Sequence, residues 1–186
     1  FKIRRDPAGA IAAYQKALID ARRALAVRLS MVHVYMVQRD AAGIKAQLVE
    51  LKKSHPTAPQ TQLVGAQVAY IERDFDRARD LIQSLLRLAP TAKPLLVLAG
   101  AVEIERGALV AAETHLGKAV QTSDPSPVAR HLLATTYLRM GQGDKALSAL
   151  RPLLESARAN GITYGLAGQA HLQQGAISQA EAAFEM

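Results

Sequence analysis

One feature constrains this chain more than any other: a period of 34 residues that runs through it without an insertion. Stepping by 34 from Gly141 gives Arg5, Arg39, Arg73, Gly107, Gly141 and Gly175. Five residues further on stand Ala10, Ile44, Ala78, Ala112, Ala146 and Ala180. Nine further on are Tyr14, Leu48, Ile82, Leu116, Leu150 and Phe184, and twelve further on Ala17, Leu51, Leu85, Ala119 and Leu153. Spacings of five, nine and twelve put these residues on one helical stripe, small first and large later. Seven before the Gly141 position stand Val32, Ala66, Gly100, Ala134 and Gly168, small in all but one copy. Self-similarity at such a period is the mark of stacked supersecondary units, each unable to bury its apolar face alone.

Each unit reads as two helices of about 14 residues joined by short turns. Asp6 before Pro7, Asp40 and Asp74 stand where a helix needs a capping oxygen. Ser54-His55-Pro56, Ala89-Pro90 and Asp124-Pro125-Ser126-Pro127 stop the second helix of three units. Asn160-Gly161 is expected to supply a left-handed turn after the fourth. Pro152 lies inside a second helix, so a kink or break is expected near Ser148–Arg151. The small first-helix residue Gly100 and the small second-helix residue Ala112 should let two backbones approach, with Leu116 filling space against the following unit.

Composition agrees. Apolar residues make up 49% of the 186 but aromatics only 4%, and 35 are Ala. That favours closely packed helices over a sandwich or barrel. Zero Cys removes disulfides, thiolate metal sites and cysteine nucleophiles. No apolar run is long enough to span a membrane, and Phe1 is not followed by the pattern of a signal peptide. The net charge is +7, but residues 1–34 alone carry seven basic against two acidic residues, whereas residues 103–186 carry seven against eight. The excess sits at mixed helical phases with few aromatics, so a solvated basic end is expected rather than a nucleic-acid face.

In this register the chain resembles the tetratricopeptide repeat (TPR) family over its whole length. Leu133-Ala134 with Tyr137, Gly141, Ala146, Leu150 and Leu153 is the best copy of the family pattern. Ile44 at a small position, Arg in place of the turn glycine and Arg130 where a large aromatic is usual depart from it. The resemblance implies an all-α, right-handed α-solenoid of about five and a half 34-residue helix-turn-helix units. The units are expected as a half repeat at 7–20, then 25–58, 59–92, 93–126, 127–160 and 161–186, a single array and a part of a longer one. The strings Leu96–Ala101, Ala129–Gln142 and Gly165–Ala170 are also similar to the large TPR lipoprotein of bacterial PEP-CTERM/exosortase systems and their exopolysaccharide loci. That likeness implies a periplasmic or outer-membrane-anchored place in the bacterial envelope, with the cytoplasm as the alternative.

Chemistry for catalysis is absent from the pattern. His33, His55, His115, His131 and His171 have no partner three or four residues away, so no helical metal site forms locally. Gly141-Gln142-Gly143-Asp144-Lys145 lacks the spacing of a phosphate-binding loop and recurs as the repeat turn. Asp74, Asp76 and Asp80 lack the loop and closing Glu of a calcium site. Glu103 and Glu105, two apart, point to different sides of a helix. Neither an enzyme, a metal nor a cofactor is expected.

By the resemblance, the first helix of each unit lines a concave groove through its second, fifth, ninth and twelfth positions. The fifth positions are Leu29, Leu63, Val97, His131 and Gly165; the ninth are His33, Gln67, Ala101, Thr135 and Gln169; the twelfth are Met36, Tyr70, Ile104, Leu138 and Leu172. The groove is thus apolar with hydrogen-bonding residues along its middle. The expected binding residues are His33, Met36, Gln67, Tyr70, Thr135, Leu138 and Arg139, taking a peptide or helix of a protein partner. The expected role is a protein-interaction scaffold, with a regulatory or substrate-recruiting region of a larger enzyme as the alternative. The first and last helices keep apolar stripes without partners, so end-to-end association of copies is a further expectation.

Overall fold

A computed structural model describes residues 6–18, 24–121, 127–156 and 159–186. The described residues form eleven helices and no strand: α1 (Pro7–Ala17), α2 (Ala24–Gln38), α3 (Ala41–Ser54), α4 (Pro59–Ile71), α5 (Phe75–Leu88), α6 (Lys93–Glu105), α7 (Leu109–Val120), α8 (Pro127–Arg139), α9 (Gly143–Leu154), α10 (Gly161–Gln173) and α11 (Ile177–Phe184). The first helices α4, α6, α8 and α10 start 34 residues apart, and so do the second helices α3, α5, α7, α9 and α11. The sequence period is therefore the structural period.

The turn from first to second helix is built the same way five times. Arg39, Arg73, Gly107, Gly141 and Gly175 all have positive φ, between 57° and 75°. At each, the left-handed residue donates its N–H three residues back, and the next residue donates five back: Arg73 to Tyr70 and Asp74 to Ala69, Gly141 to Leu138 and Gln142 to Tyr137. This paired closure satisfies carbonyls that a helix end would otherwise leave bare. Glycine takes the conformation freely, whereas Arg39 and Arg73 adopt it at a cost of about 1–2 kcal/mol. Arg5, at the same register, lies outside the described residues.

Caps follow the sequence in three places. Asp6, Asp40 and Asp74 accept from Gly9, Gly43 and Arg77 N–H groups at 2.8, 2.9 and 3.2 Å. Asn160 behaves differently from expectation. It is extended (φ −147°, ψ 175°) and forms a capping box with Thr163, so it starts α10 rather than making a left-handed turn. The expected break at Pro152 is also absent: α9 is helical through it to Leu154. Pro152 sits in the last turn on an exposed face, and the carbonyl it leaves unpaired belongs to Ser148, also exposed. Water can take that carbonyl, so the missing donor need not end the helix.

The chain packs as two compact units, Phe1–Leu85 and Leu86–Met186. In the first, Val32, Ile44, Leu48, Leu51, Val64 and Val68 form a core backed by Leu25, Leu29 and Tyr35. In the second, Ile104, Ala112, Leu116, Leu133, Ala134, Leu138, Ala146, Leu150 and Leu153 share one cluster, with Leu96, Ala119 and Ala129 forming another. Leu116 lies over Gly100 of its own repeat, where a methyl group would overlap it, and Phe184 lies over Gly168 in the same way. The large residue therefore fills space inside its own helix pair as well as joining α8 residues in the shared core. Arg130, in the place of a large aromatic, uses its guanidinium to reach the Ala149 carbonyl at 3.2 Å.

Because the five turns share one conformation, opposite substitutions should have opposite signs. Gly141→Ala should lower stability by about 1 kcal/mol, and Arg39→Gly should raise it by up to about 1 kcal/mol, the relief of left-handed strain less the extra freedom of glycine in the unfolded chain. Urea denaturation of both variants checks this. Equal signs would show that the turn is not the source of the effect.

Candidate functional site

The groove candidates fall in both units. In the first, His33 is exposed, Met36 is 42% exposed, and Gln67 and Tyr70 are half-buried. The turn that follows α4 positions Tyr70. Its ring meets Phe75 across the Arg73 corner, with centroids 5.8 Å apart and planes at 57°. The Arg73 guanidinium lies 5.3 Å from the centre of the Phe75 ring. The left-handed Arg73 therefore folds back over the Phe75 ring, and Phe75 in turn packs against Tyr70. Elsewhere in this unit Arg28 reaches Gln47 and Glu50 at 3.2 and 3.3 Å, Lys53 reaches Glu50 at 2.7 Å, and Lys45 pairs with Glu72 at 2.8 Å. Lys53 holds the Glu50 carboxyl below its usual range, and Lys45 does the same for Glu72. Such exposed pairs contribute little stability.

The second unit is different. Leu138, expected to line the groove, is 8% exposed and belongs to the central cluster. It serves the packing between helices and offers no surface to a ligand. Ile104, at the same register, is buried likewise. Arg139 sits one residue beyond and donates through Nη1 to the Ile104 carbonyl at 3.0 Å. Gln173 makes the same bond one repeat later, its Nε2 to the Leu138 carbonyl at 2.8 Å. Polar side chains at one register thus stitch the ends of α8 and α10 each to the first helix before it. Arg139 remains exposed beyond that bond.

Around Thr135 the polar groups form a network. Its hydroxyl donates to the His131 carbonyl at 2.9 Å. The His131 ring reaches the fully buried Thr163 through Nε2 and Oγ1 at 2.8 Å, so α8 is bonded to the cap of α10. Burial pushes the His131 ring below the ordinary histidine range. Burial does the same to His115, with Glu103 opposing and Lys118 adding to the shift. Glu103, 5% exposed, is itself paired with Arg106 at 3.0 Å. Tyr137 donates to Glu113 at 3.1 Å while Lys145 lies 5.4 Å from the centre of its ring; burial and the bonded carboxylate raise the phenol above its usual value.

A cleft of about 810 Å³ opens beside the α8–α9 turn, lined by Gly141–Lys145 with Gln173 and Gln174. Asp144 on its wall accepts from Gln174 at 2.7 Å. It holds no nucleophile with an adjacent base. Among the described residues no group of three or more His, Asp and Glu is placed to hold a metal ion, and no helix is long and apolar enough to cross a membrane.

The groups described above form surfaces, and the architecture is shared with known proteins. The family described as anaphase-promoting complex, cyclosome, subunit 3 matches residues 105–186. The chain is similar to a crystal structure of MamA, at 19% identity over 81% of this chain and 88% of that one, with a TM-score of 0.68. It is similar to a thermophilic TPR protein of Thermus thermophilus, at 14% identity over 85% and 87%, with a TM-score of 0.71. It is also similar to YrrB, described as a TPR protein with an unusual peptide-binding site, at 16% identity over 93% and 89%, with a TM-score of 0.65. No curated protein matches the chain by sequence. The chain has the tetratricopeptide-repeat fold of the α-solenoids.

The stitches at Arg139 and Gln173 and the His131–Thr163 bond escape a reading of the sequence, although donors recurring one residue beyond the twelfth position are visible there. The depressed histidines carry a pH prediction. Both favour the neutral ring in the folded state, so as pH falls below about 6.5 the unfolded chain takes up protons that the folded one refuses. Stability should be flat above that value and decline below it, down to the lower folded values. Urea midpoints at about pH 8 and about pH 5.5, above the range where most carboxylates titrate, should show the fall, and a His115→Gln/His131→Gln chain should show less of it. An equal fall in that double variant would place its cause elsewhere.

Proposed function

We propose that the chain is a non-catalytic protein-interaction module whose first helices take a peptide or helical segment of a partner protein. Proteins of this fold are generally scaffolds that bind other proteins, and YrrB is named for its peptide-binding site. The observation that carries the reading is the exposure left on first-helix positions after packing is complete: His33, Met36, Gln67 and Tyr70 in one unit, Thr135 and Arg139 in the other. Met36 and Tyr70 offer apolar area, Gln67 an amide to bond a peptide group, and Arg139 a guanidinium already anchored on one side. Tyr combines a flat apolar face with a hydroxyl at low entropic cost and dominates many interfaces.

The likeness of residues 60–186 to the PEP-CTERM/exosortase lipoprotein supports a place on the envelope side of a bacterium, within exopolysaccharide or sorting-dependent export. A lipobox Cys behind a signal peptide in the full gene product would support that context; a fused catalytic domain would favour the enzyme-recruiting alternative.

A phage-displayed library of random dodecapeptides selected on the intact chain tests the binding reading. Tyr70→Ala should weaken selected peptides that bind the first unit by about 1–3 kcal/mol. The melting temperature should drop by no more than about 2–4 °C, the equivalent of one ring contact in a chain of this size. Val110→Ala, on a second helix, should leave binding unchanged. Peptides lost with Val110→Ala and kept with Tyr70→Ala and Thr135→Ala would move the site to the second helices and overturn the reading.

A further inference from the structure

The His131–Thr163–Asn160 network determines which nitrogen of the His131 ring carries its proton. The Asn160 side-chain oxygen accepts from the Thr163 N–H at 3.1 Å, which fixes the amide's orientation. The Thr163 hydroxyl lies 3.1 Å from that same oxygen and 2.8 Å from His131 Nε2. A single proton order satisfies both contacts: Nε2–H donates to the hydroxyl, and the hydroxyl donates to Asn160. The reverse order leaves two oxygens 3.1 Å apart with no proton between them. The neutral ring therefore carries its proton on Nε2 and a lone pair on Nδ1. Nδ1 has no partner among the described residues. Unlike Nδ1 of His115 and of His171, it is not a buried orphan.

The surroundings say what that lone pair meets. Val128, one turn earlier on α8, is 56% exposed, and Ile162, next to Thr163 on α10, is 62% exposed. Thr135 lies one turn later. Neither α8 nor α10 carries an Asp or Glu, while α8 carries Arg130 and Arg139. Arg130 is turned to the Ala149 carbonyl of α9, but the exposed Arg139 on α8 disfavours a Lys or Arg donor, which favours a neutral donor such as a backbone N–H. The charged and titratable groups on the helices packed against α8 (Lys93, Glu103 and Glu105 on α6; Glu113, His115 and Lys118 on α7; Asp144, Lys145 and Arg151 on α9; Tyr164 and His171 on α10) do not account for the ring's neutral preference; burial does.

We propose that His131 is a specificity-determining residue of the second unit, its Nδ1 accepting a backbone N–H of an apolar, uncharged peptide segment that rests on Val128 and Ile162. The proposal rests on the peptide-binding reading above and adds the ligand's chemistry and its gating. Protonation turns Nδ1 from acceptor to donor, so the same peptide is released in acid.

Peptides from the dodecapeptide library, selected at neutral pH on the intact chain, are the probe, with affinity read by fluorescence polarisation. His131→Ala should weaken the peptides that need Thr135 by about three- to tenfold, the size of one neutral hydrogen bond. His131→Gln, whose amide can both donate to Thr163 and accept from the peptide, should retain most of the affinity and lose its dependence on pH. In the native chain affinity should fall as pH drops through the His131 titration, and imidazole ¹⁵N shifts should report the Nε2–H form, lost in Thr163→Val. Thermal melts of each variant confirm that it is folded. Peptides rich in Lys or Arg, binding that strengthens in acid, an Nδ1–H ring, or binding unaffected by His131→Ala would each overturn the proposal. If Thr135→Ala or Tyr70→Ala still abolishes binding in those cases, the general peptide-binding reading stands without it. A library yielding no peptide that depends on any first-helix residue overturns both.

Discussion

Everything else in this chain depends on the left-handed residue that ends each first helix. Its N–H and the one after it close the helix by bonding back three and five residues, and the chain then has a single short route into the second helix. Because the closure is identical five times, the second helix always begins four residues after the first ends in the units from α4 onward. That fixed offset brings Gly100 under Leu116 and Gly168 under Phe184. A change in the turn would therefore misplace a whole stripe of packing residues, not one contact.

Most of this is legible in the sequence, because the residues that set the fold repeat every 34 positions. The register of the turns, the order of eleven helices among the described residues, and the three Asp caps follow directly from it. Three local readings fail, each for a reason a linear pattern does not contain. The chemistry of Pro152 alone suggests a break, but its cost depends on whether the orphaned Ser148 carbonyl faces water. The pairing of Asn160 with Gly161 suggests a left-handed turn, but Thr163 offers Asn160 a capping partner. Register alone puts Leu138 in the groove lining, yet it is a core residue.

The candidate site is less legible, and the two units show why. At the register one past the twelfth position, Arg139 and Gln173 reach back to carbonyls of the preceding first helix. Val37 and Ile71, at the same register in the first unit, carry no donor and are exposed apolar residues. Periodicity tells which residues share a face, but a bond between repeats depends on side-chain reach and on which carbonyl is left unpaired. Thr61 and Thr163 share a register and are both buried. Thr163 has Asn160 and His131 as partners, whereas the hydroxyl of Thr61 has none among the described residues, because Ala58 and Leu29 stand at the corresponding places.

A division of labour follows from this architecture. Residues that obey the repeat are consumed by it: Ala112, Leu116, Ala146 and Leu150 are fully buried and have nothing left to offer a ligand. Residues that vary within a register are the ones free to specialise, since the scaffold is already satisfied without them. Tyr70 shares its register with Met36, Ile104 and Leu138, and His131 shares its own with Leu29, Leu63 and Val97. Tyr70 nonetheless leans on the turn through Phe75, and His131 leans on a helix cap through Thr163. Each variable side chain is thus oriented by a repeated element, which removes much of the entropy that a flexible surface residue loses on binding. A solenoid of this kind can acquire recognition one position at a time, with the turn and its packing stripe left intact.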